Sequence, residues 1–230
     1  MISQINIFRK GTLAIAGVLL VFGFSSLTPE DLESSPQVLQ DSATTASTVT
    51  VGTKNWMINN LDVSTFRNGE AIVEAHSKTE WKKAGLNQQP AWCYYNFDAE
   101  NAACGKFYNW YAVSSAKKLA PEGYHIPTSP ELKELSAFLG NDIAGLKIKN
   151  STGWPDGANG SNETGLTVNP CGMLTDDGLA TSLGNEAFLW STTGAGAFNA
   201  YSFVLHANMN GFYQMPFSKD AGLNVRCVKD

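Results

Sequence analysis

Charge is scarce in this chain: 16% of its 230 residues are Asp, Glu, Lys or Arg, and the formal net charge is −5. That excludes the charge density of a coiled coil and the basic surface that draws phosphate backbones, so nucleic acid is not an expected partner. Histidine is scarcer still, with three copies, His76, His125 and His206, far apart in the chain. No CxxC, HExxH or GxSxG run occurs, which removes the usual zinc clusters, the metalloprotease helix and the hydrolase nucleophile elbow. Nor is there an apolar run of the ~20 residues that a spanning helix needs. What is present is core-forming material, 43% hydrophobic and 11% aromatic, together with 21 Gly and many Asn. Intrinsic disorder is excluded over most of the length, and a turn-rich fold is expected. At about 150 residues per domain, one large domain is the simplest organisation.

Arg9 and Lys10 precede an apolar stretch from Thr12 to Phe24, and Ser25 and Ser26 follow. This is the layout of a signal peptide over residues 1–26, with an uncleaved N-terminal anchor as the alternative. The stretch holds no Cys, so a lipoprotein anchor is not expected, nor is a transmembrane segment in the mature chain. The run TPEDLESSPQVLQDSATTAST has no sustained apolar period and reads as a disordered linker over residues 27–47. A folded domain is expected over 48–230.

Within that domain, TVTVGTKNWMINN predicts two strands, Thr48–Val51 and Asn55–Ile58, about a turn at Gly52. A long polar segment runs from there to Pro90. KFYNWYAVSSA, Lys106 to Ala116, has apolar residues at helical spacing and predicts a helix. A second helix is marked by Ser129 as N-cap, Pro130 at its first position, Glu131 in the first turn, Leu132, Leu135 and Leu139 on one face, and Gly140 as its stop. Asn141 to Gly184 is dominated by Gly, Asn, Asp, Ser and Thr, too long for a structureless loop unless it is functional or pinned, by Cys171 or by a bound cation. Tyr201–His206, Phe212–Met215 and Leu223–Val228 read as a β-meander. Early helices and late antiparallel strands make the fold class α+β.

Four cysteines, Cys93, Cys104, Cys171 and Cys227, all lie beyond the leader, and an even count in an exported chain predicts two disulfides. Three pairings are open. Joining Cys227 to Cys93 or Cys104 would close a long loop, worth about 4 kcal/mol in the loop-entropy account.

The ordered runs NWMINNLDVSTFRNGE, PAWCYYN, GKFYNWYAV, LAPEGYHIPTSPELKEL, NETGL, WSTT and NVRCVKD resemble the Fibrobacter succinogenes major paralogous domain, FISUMP, over about Val49 to Asp230. The resemblance implies an exported protein of Fibrobacter, Bacteroidetes or related bacteria, secreted or on the outer surface of a Gram-negative cell, in a family whose biochemistry is largely undefined. HIPTSPELKEL, LWSTT and NVRCV are also similar, more distantly, to blocks of the formylglycine-generating enzyme superfamily. That similarity implies a C-type-lectin-like fold, two helices packed on a small twisted antiparallel sheet with long irregular loops. It does not carry over the oxidase activity: the stretch Gly194 to Asn224, where those enzymes place a thiol pair, holds no Cys. By position, Cys227 matches a structural cysteine of that superfamily. His125 reads as a structural histidine, and Asp176–Asp177 as solvated acids of a turn.

A binding role is therefore expected in place of catalysis, with a polysaccharide or a surface protein as partner. Trp92, Tyr94 and Tyr95 around Cys93, and Trp154 before Pro155, are the candidate stacking rings for a sugar, with Asn159 and Asn162 as hydrogen-bonding side chains. The competing reading is that these rings fill the core. WPDGANGSNETG also offers oxygen ligands at Asp156, Asn159, Asn162 and Glu163, which makes Asp156, Asn159 and Glu163 a candidate calcium site without EF-hand spacing. A polar surface loop is the alternative, and no cofactor is required by the remaining sequence.

Overall fold

The computed structural model describes residues 46–230; the signal peptide expected at 1–26 and the linker expected from residue 27, up to residue 45, lie outside the described residues. Ala46 and Ser47, assigned above to the linker, already belong to the fold. Ala46 packs on a core cluster, and the Ser47 carbonyl accepts from the Ile58 N–H at 2.9 Å.

Strands β1 (Thr48–Val51) and β2 (Lys54–Met57) form the expected hairpin about Gly52, with Val49 opposite Trp56. The polar segment that follows is not featureless: it contains β3 (Val73–Glu74) and α1 (Lys78–Leu86). Ser77 caps α1 by accepting from the Glu80 N–H, and the helix buries Trp81, Ala84 and Gly85. Too few apolar side chains mark α1 for a periodicity argument to find it; the cap is its main local signal.

The helix expected over Lys106–Ala116 is replaced by two short elements. After β4 (Ala91–Cys93) comes β5 (Phe107–Tyr108), paired antiparallel with it, and then a single helical turn, α2 (Trp110–Val113). Asn109 enforces the switch. Its carboxamide oxygen accepts from the N–H groups of both Ala91 and Ala112 at 3.1 Å, capping α2 and holding β4, so the helix cannot extend back through Phe107.

Beyond β6 (Tyr124–His125), α3 (Ser129–Phe138) begins one residue earlier than expected. Thr128, not Ser129, is its N-cap, in a capping box with Glu131. Leu132, Leu135 and Leu139 are buried, and Gly140 ends the helix with φ 93°. The long loop holds α4 (Ala144–Ile148), β7 (Met173–Leu174) and β8 (Ala180–Thr181). Then come β9 (Glu186–Gly194), β10 (Asn199–His206) and β11 (Tyr213–Ser218), an antiparallel sheet in which β10 is central. Of the strand expected over Leu223–Val228, only β12 (Val228–Lys229) is regular, and it sits between β2 and β6 in the order β1-β2-β12-β6. Leu223 and Asn224 instead make single bridges to Tyr108 and Leu189. The architecture is mixed α+β, with several small sheets and few helices.

The central sheet is buried on both faces. Phe188 and Trp190 of β9, with Ala200 and Val204 of β10, enter one core cluster with Tyr108, Trp92 and Val225. The intervening residues Ala187, Leu189, Phe203 and Leu205 enter a second with Leu132, Trp56 and Trp154. Two-sided burial explains why FLW and FVL read as continuous apolar runs. Trp190 is fully buried, and its Nε1–H donates to the Tyr108 carbonyl at 2.9 Å.

One disulfide forms, not two. Cys104–Cys171 joins residues 67 apart, tying the segment after β4 to the long loop. Cys93 and Cys227 are free thiols. They belong to different core clusters, Cys93 with Trp81 and Phe107, Cys227 with Ile126 and Met57, and form no bridge with each other. Desolvation pushes both thiols up, Cys227 to about 12, which leaves them protonated and inert.

Candidate functional site

Trp92 and Trp154, offered by the sequence as sugar-stacking rings, are 5% exposed and present no face to solvent. The Trp92 Nε1–H donates to the Ile72 carbonyl at 3.2 Å, and its ring lies 4.4 Å from the ammonium of Lys106. Tyr94 packs edge-on against Trp92 and accepts from the same ammonium at 3.4 Å. Trp92 and Tyr94 thus form an aromatic box around a buried lysine. Tyr95 is half-buried against Phe107. A cation–π box and a hydrophobic contact account for these rings, which correct the expectation of an open aromatic platform.

The Trp154–Gly165 loop is organised by protein groups. The Trp154 N–H donates to Asn159 Oδ1 at 3.0 Å, and its indole N–H donates to the Val168 carbonyl. Beneath the ring, at 4.7 Å, sits the ammonium of Lys149, 1% exposed and donating to the carbonyls of His206, Ala207 and Met209. Glu163 pairs with Lys147 at 3.1 Å, and Asp156 is exposed. Asn162 Oδ1 accepts from the Thr167 N–H at 2.8 Å while its Nδ2 donates to the Thr167 hydroxyl. Asn159 and Glu163 are thus engaged by protein groups, and among the described residues there is no group of three His, Cys, Asp or Glu side chains that could hold a metal ion. A built-in cation, Lys149, and the Cys104–Cys171 bridge supply the pinning that the loop needs. Gly160 permits the closeness, since a Cβ there would meet the Lys149 carbonyl at 2.3 Å.

His125 lies beside a cleft of about 480 Å³ with Arg67, Ser114 and Asp230. Both ring nitrogens are occupied, Nδ1 by Asp230 at 2.7 Å and Nε2 by Glu131 at 2.9 Å. Neither Ser114 nor Ser115, which also lines the cleft, hydrogen-bonds to the ring, so no nitrogen is free to take a proton from a nucleophile. Burial opposes protonation of His125, but the bonds to the two carboxylates outweigh it and raise its pKa. Burial likewise opposes ionisation of Glu131, yet the Thr128 N–H, His125, the Thr128 hydroxyl and Lys54 bring it down to about 2. The Arg67 guanidinium is used by the carbonyls of Ala120, Pro121 and Tyr124.

A third feature was not singled out from the sequence. Beside the disulfide, a polar pocket of about 360 Å³ is lined by Asn59, Asp62, Gly105, Thr167, Asn169 and Arg226. The turn after β2 supplies Asn59 and Asp62, the loop wall held by Asn162 supplies Thr167, and the segment before β12 supplies Arg226. Gly105, φ +70°, lets the disulfide-bearing segment approach Asn60, which a Cβ would meet at 3.1 Å. Asn60 braces the back of the pocket, donating to the Cys104 carbonyl and accepting from Arg226 Nη2, both at 2.9 Å. Arg226 Nη1 donates to the Leu166 carbonyl, and its Nε has no partner among the described residues. Desolvation lowers the Arg226 pKa to about 10. The only sequence signal for this site was the arginine of NVRCV, which looks in isolation like a surface charge between strand residues.

Comparisons with known proteins agree with the sequence pattern. No curated protein matches the chain, and no solved structure does. The family model of the Fibrobacter succinogenes major domain matches residues 49–229, from the second residue of β1 to the end of β12. The chain belongs to the Fibrobacter succinogenes major domain family.

Proposed function

We propose that this chain is an exported binding module without catalytic activity, acting at the cell surface or outside it, with a glycan as ligand. The observation that carries the reading is the polar pocket beside the disulfide. Its amide side chains are of the type that exchange hydrogen bonds with sugar hydroxyls, and its volume of about 360 Å³ suits a small ligand. The leader pattern and a disulfide support export. The blocks similar to the formylglycine-generating enzyme superfamily fall at α3, β9 and the approach to β12, an order that supports a C-type-lectin-like reading of the α+β fold. A degenerate enzyme of that superfamily is disfavoured, because both free thiols are buried and protonated. Calcium is not needed in this account, since Lys149 occupies the centre of the loop.

One observation favours a second reading, a structural protein that contacts other proteins. Phe198, at the turn between β9 and β10, is 83% exposed, and Tyr213 and Met215 are exposed on the edge strand β11. A screen of the purified, disulfide-intact chain on an array of neutral and acidic glycans, with and without EDTA, separates the two. Saturable, sugar-specific binding that survives EDTA is expected. A blank array from folded protein would refute the glycan reading and shift weight to protein contacts through Phe198.

A further inference from the structure

We infer that the pocket at Arg226 takes a sugar bearing a carboxylate, a uronic acid, with the guanidinium as its charge partner. The inference rests on the binding reading above and names the class of ligand. Arg226 is 4% exposed, and both of its hydrogen-bond acceptors are neutral oxygens, the Leu166 carbonyl and the Asn60 carboxamide. No carboxylate of the described residues lies within salt-bridge distance of it, although a buried guanidinium without a counter-charge is strongly unfavourable. The other charge lining the pocket, Asp62, is matched by Lys106 at 2.6 Å, so the pocket keeps an uncompensated positive charge. Its Nε–H is unpartnered and itself enclosed, so what Arg226 offers through the pocket lining is the positive charge of the guanidinium.

The pocket's remaining groups favour a sugar acid over a bare anion. Asn59 makes no side-chain hydrogen bond within the described residues, and the Asn169 carboxamide oxygen is taken by Asn150 at 2.8 Å while its N–H groups are not. These are neutral donors and acceptors set around the cation, as a ring of hydroxyls beside a carboxylate requires. A site for a small inorganic anion has no use for that rim.

Calorimetric titration of the full chain with glucuronate, glucose and sodium sulfate tests the assignment. Glucuronate is expected to bind at least about tenfold more tightly than glucose or sulfate and to weaken as salt is raised. Asn59→Ala, at an exposed position, should leave the circular dichroism spectrum unchanged and weaken glucuronate by about three- to tenfold. Arg226→Gln should abolish the preference for glucuronate over glucose; should that variant fail to fold, Asn59→Ala and the salt dependence decide. Equal affinity for glucose and glucuronate overturns the charge assignment and leaves a neutral-glycan module standing. Equal affinity for sulfate overturns the sugar assignment. No binding of glucuronate by a chain that captures neutral glycans on the array overturns this inference alone, whereas no binding of any sugar overturns it together with the function proposed above.

Discussion

Three cations are buried among the described residues, and they differ in what holds their charge. Lys106 has Asp62 and two aromatic faces; Lys149 has three carbonyls and the Trp154 ring; Arg226 has two neutral acceptors and an idle Nε–H. The first two are complete within the protein and therefore structural. Lys149→Met should leave three part-buried carbonyls without their donor and cost about 3 kcal/mol in urea denaturation, while EDTA leaves the midpoint unmoved. A drop in Tm on adding EDTA would instead restore calcium to the Trp154–Gly165 loop. Trp154→Ala should cost about 3–5 kcal/mol, because the ring is core and not a sugar platform. Within WPDGANG only the reading of the Trp154 ring as exposed fails, for a physical reason: the partner that buries Trp154 is a lysine from α4's C-terminal end, and an isolated Lys in sequence announces a surface.

The N-terminal turn of α3 gathers Glu131, His125, Asp230 and Lys54, which makes this element the one most sensitive to pH. The folded pKa of His125 is raised above its ordinary 6.5, so its stabilising contribution is full below about 6.5 and is lost as pH rises through the folded value. Glu131 is held near 2 against an ordinary 4.5, so its contribution is full above 4.5 and is lost as pH falls toward 2. Tm should therefore be highest between those limits, with His125→Gln flattening the alkaline limb and Glu131→Gln the acid one; thermal melts from pH 3 to 9 check both. This helix was legible because its cap, proline and leucine spacing are all local. α1 and the break at Asn109 were not, because a weakly amphipathic helix and a side chain bridging Ala91 to Ala112 take their stability from partners distant in sequence. The hairpin β1–β2 and the strands β10 and β11 carried period-2 or apolar runs, and their positions shift by at most a few residues.

At the scale of the whole molecule, the bridge Cys104–Cys171 restrains a loop of 67 residues, worth about 4 kcal/mol in the loop-entropy account. Cys171→Ala should lose about 2–4 kcal/mol and loosen the pocket wall. Mass mapping under non-reducing conditions should find that one bridge and two thiols that alkylate only after unfolding. An even cysteine count did not reveal this, since pairing depends on which core cluster each residue enters. The α+β class and the extent of the domain were readable from ordered motifs; the pocket was not, because Asn59, Thr167, Asn169 and Arg226 converge only once the long loop folds back on the C-terminal segment.

The central claim is that ligand enters at Arg226, and the most direct measurement is a ¹⁵N-resolved NMR titration of the chain with glucuronate. The account predicts shifts concentrated at Asn59, Gly105, Thr167 and the Arg226 Nε–H, with the His125 cleft and Trp154 silent. Saturable shifts centred on His125, Ser114 and Asp230, or at the Phe198 turn, with Arg226 unmoved, would contradict it.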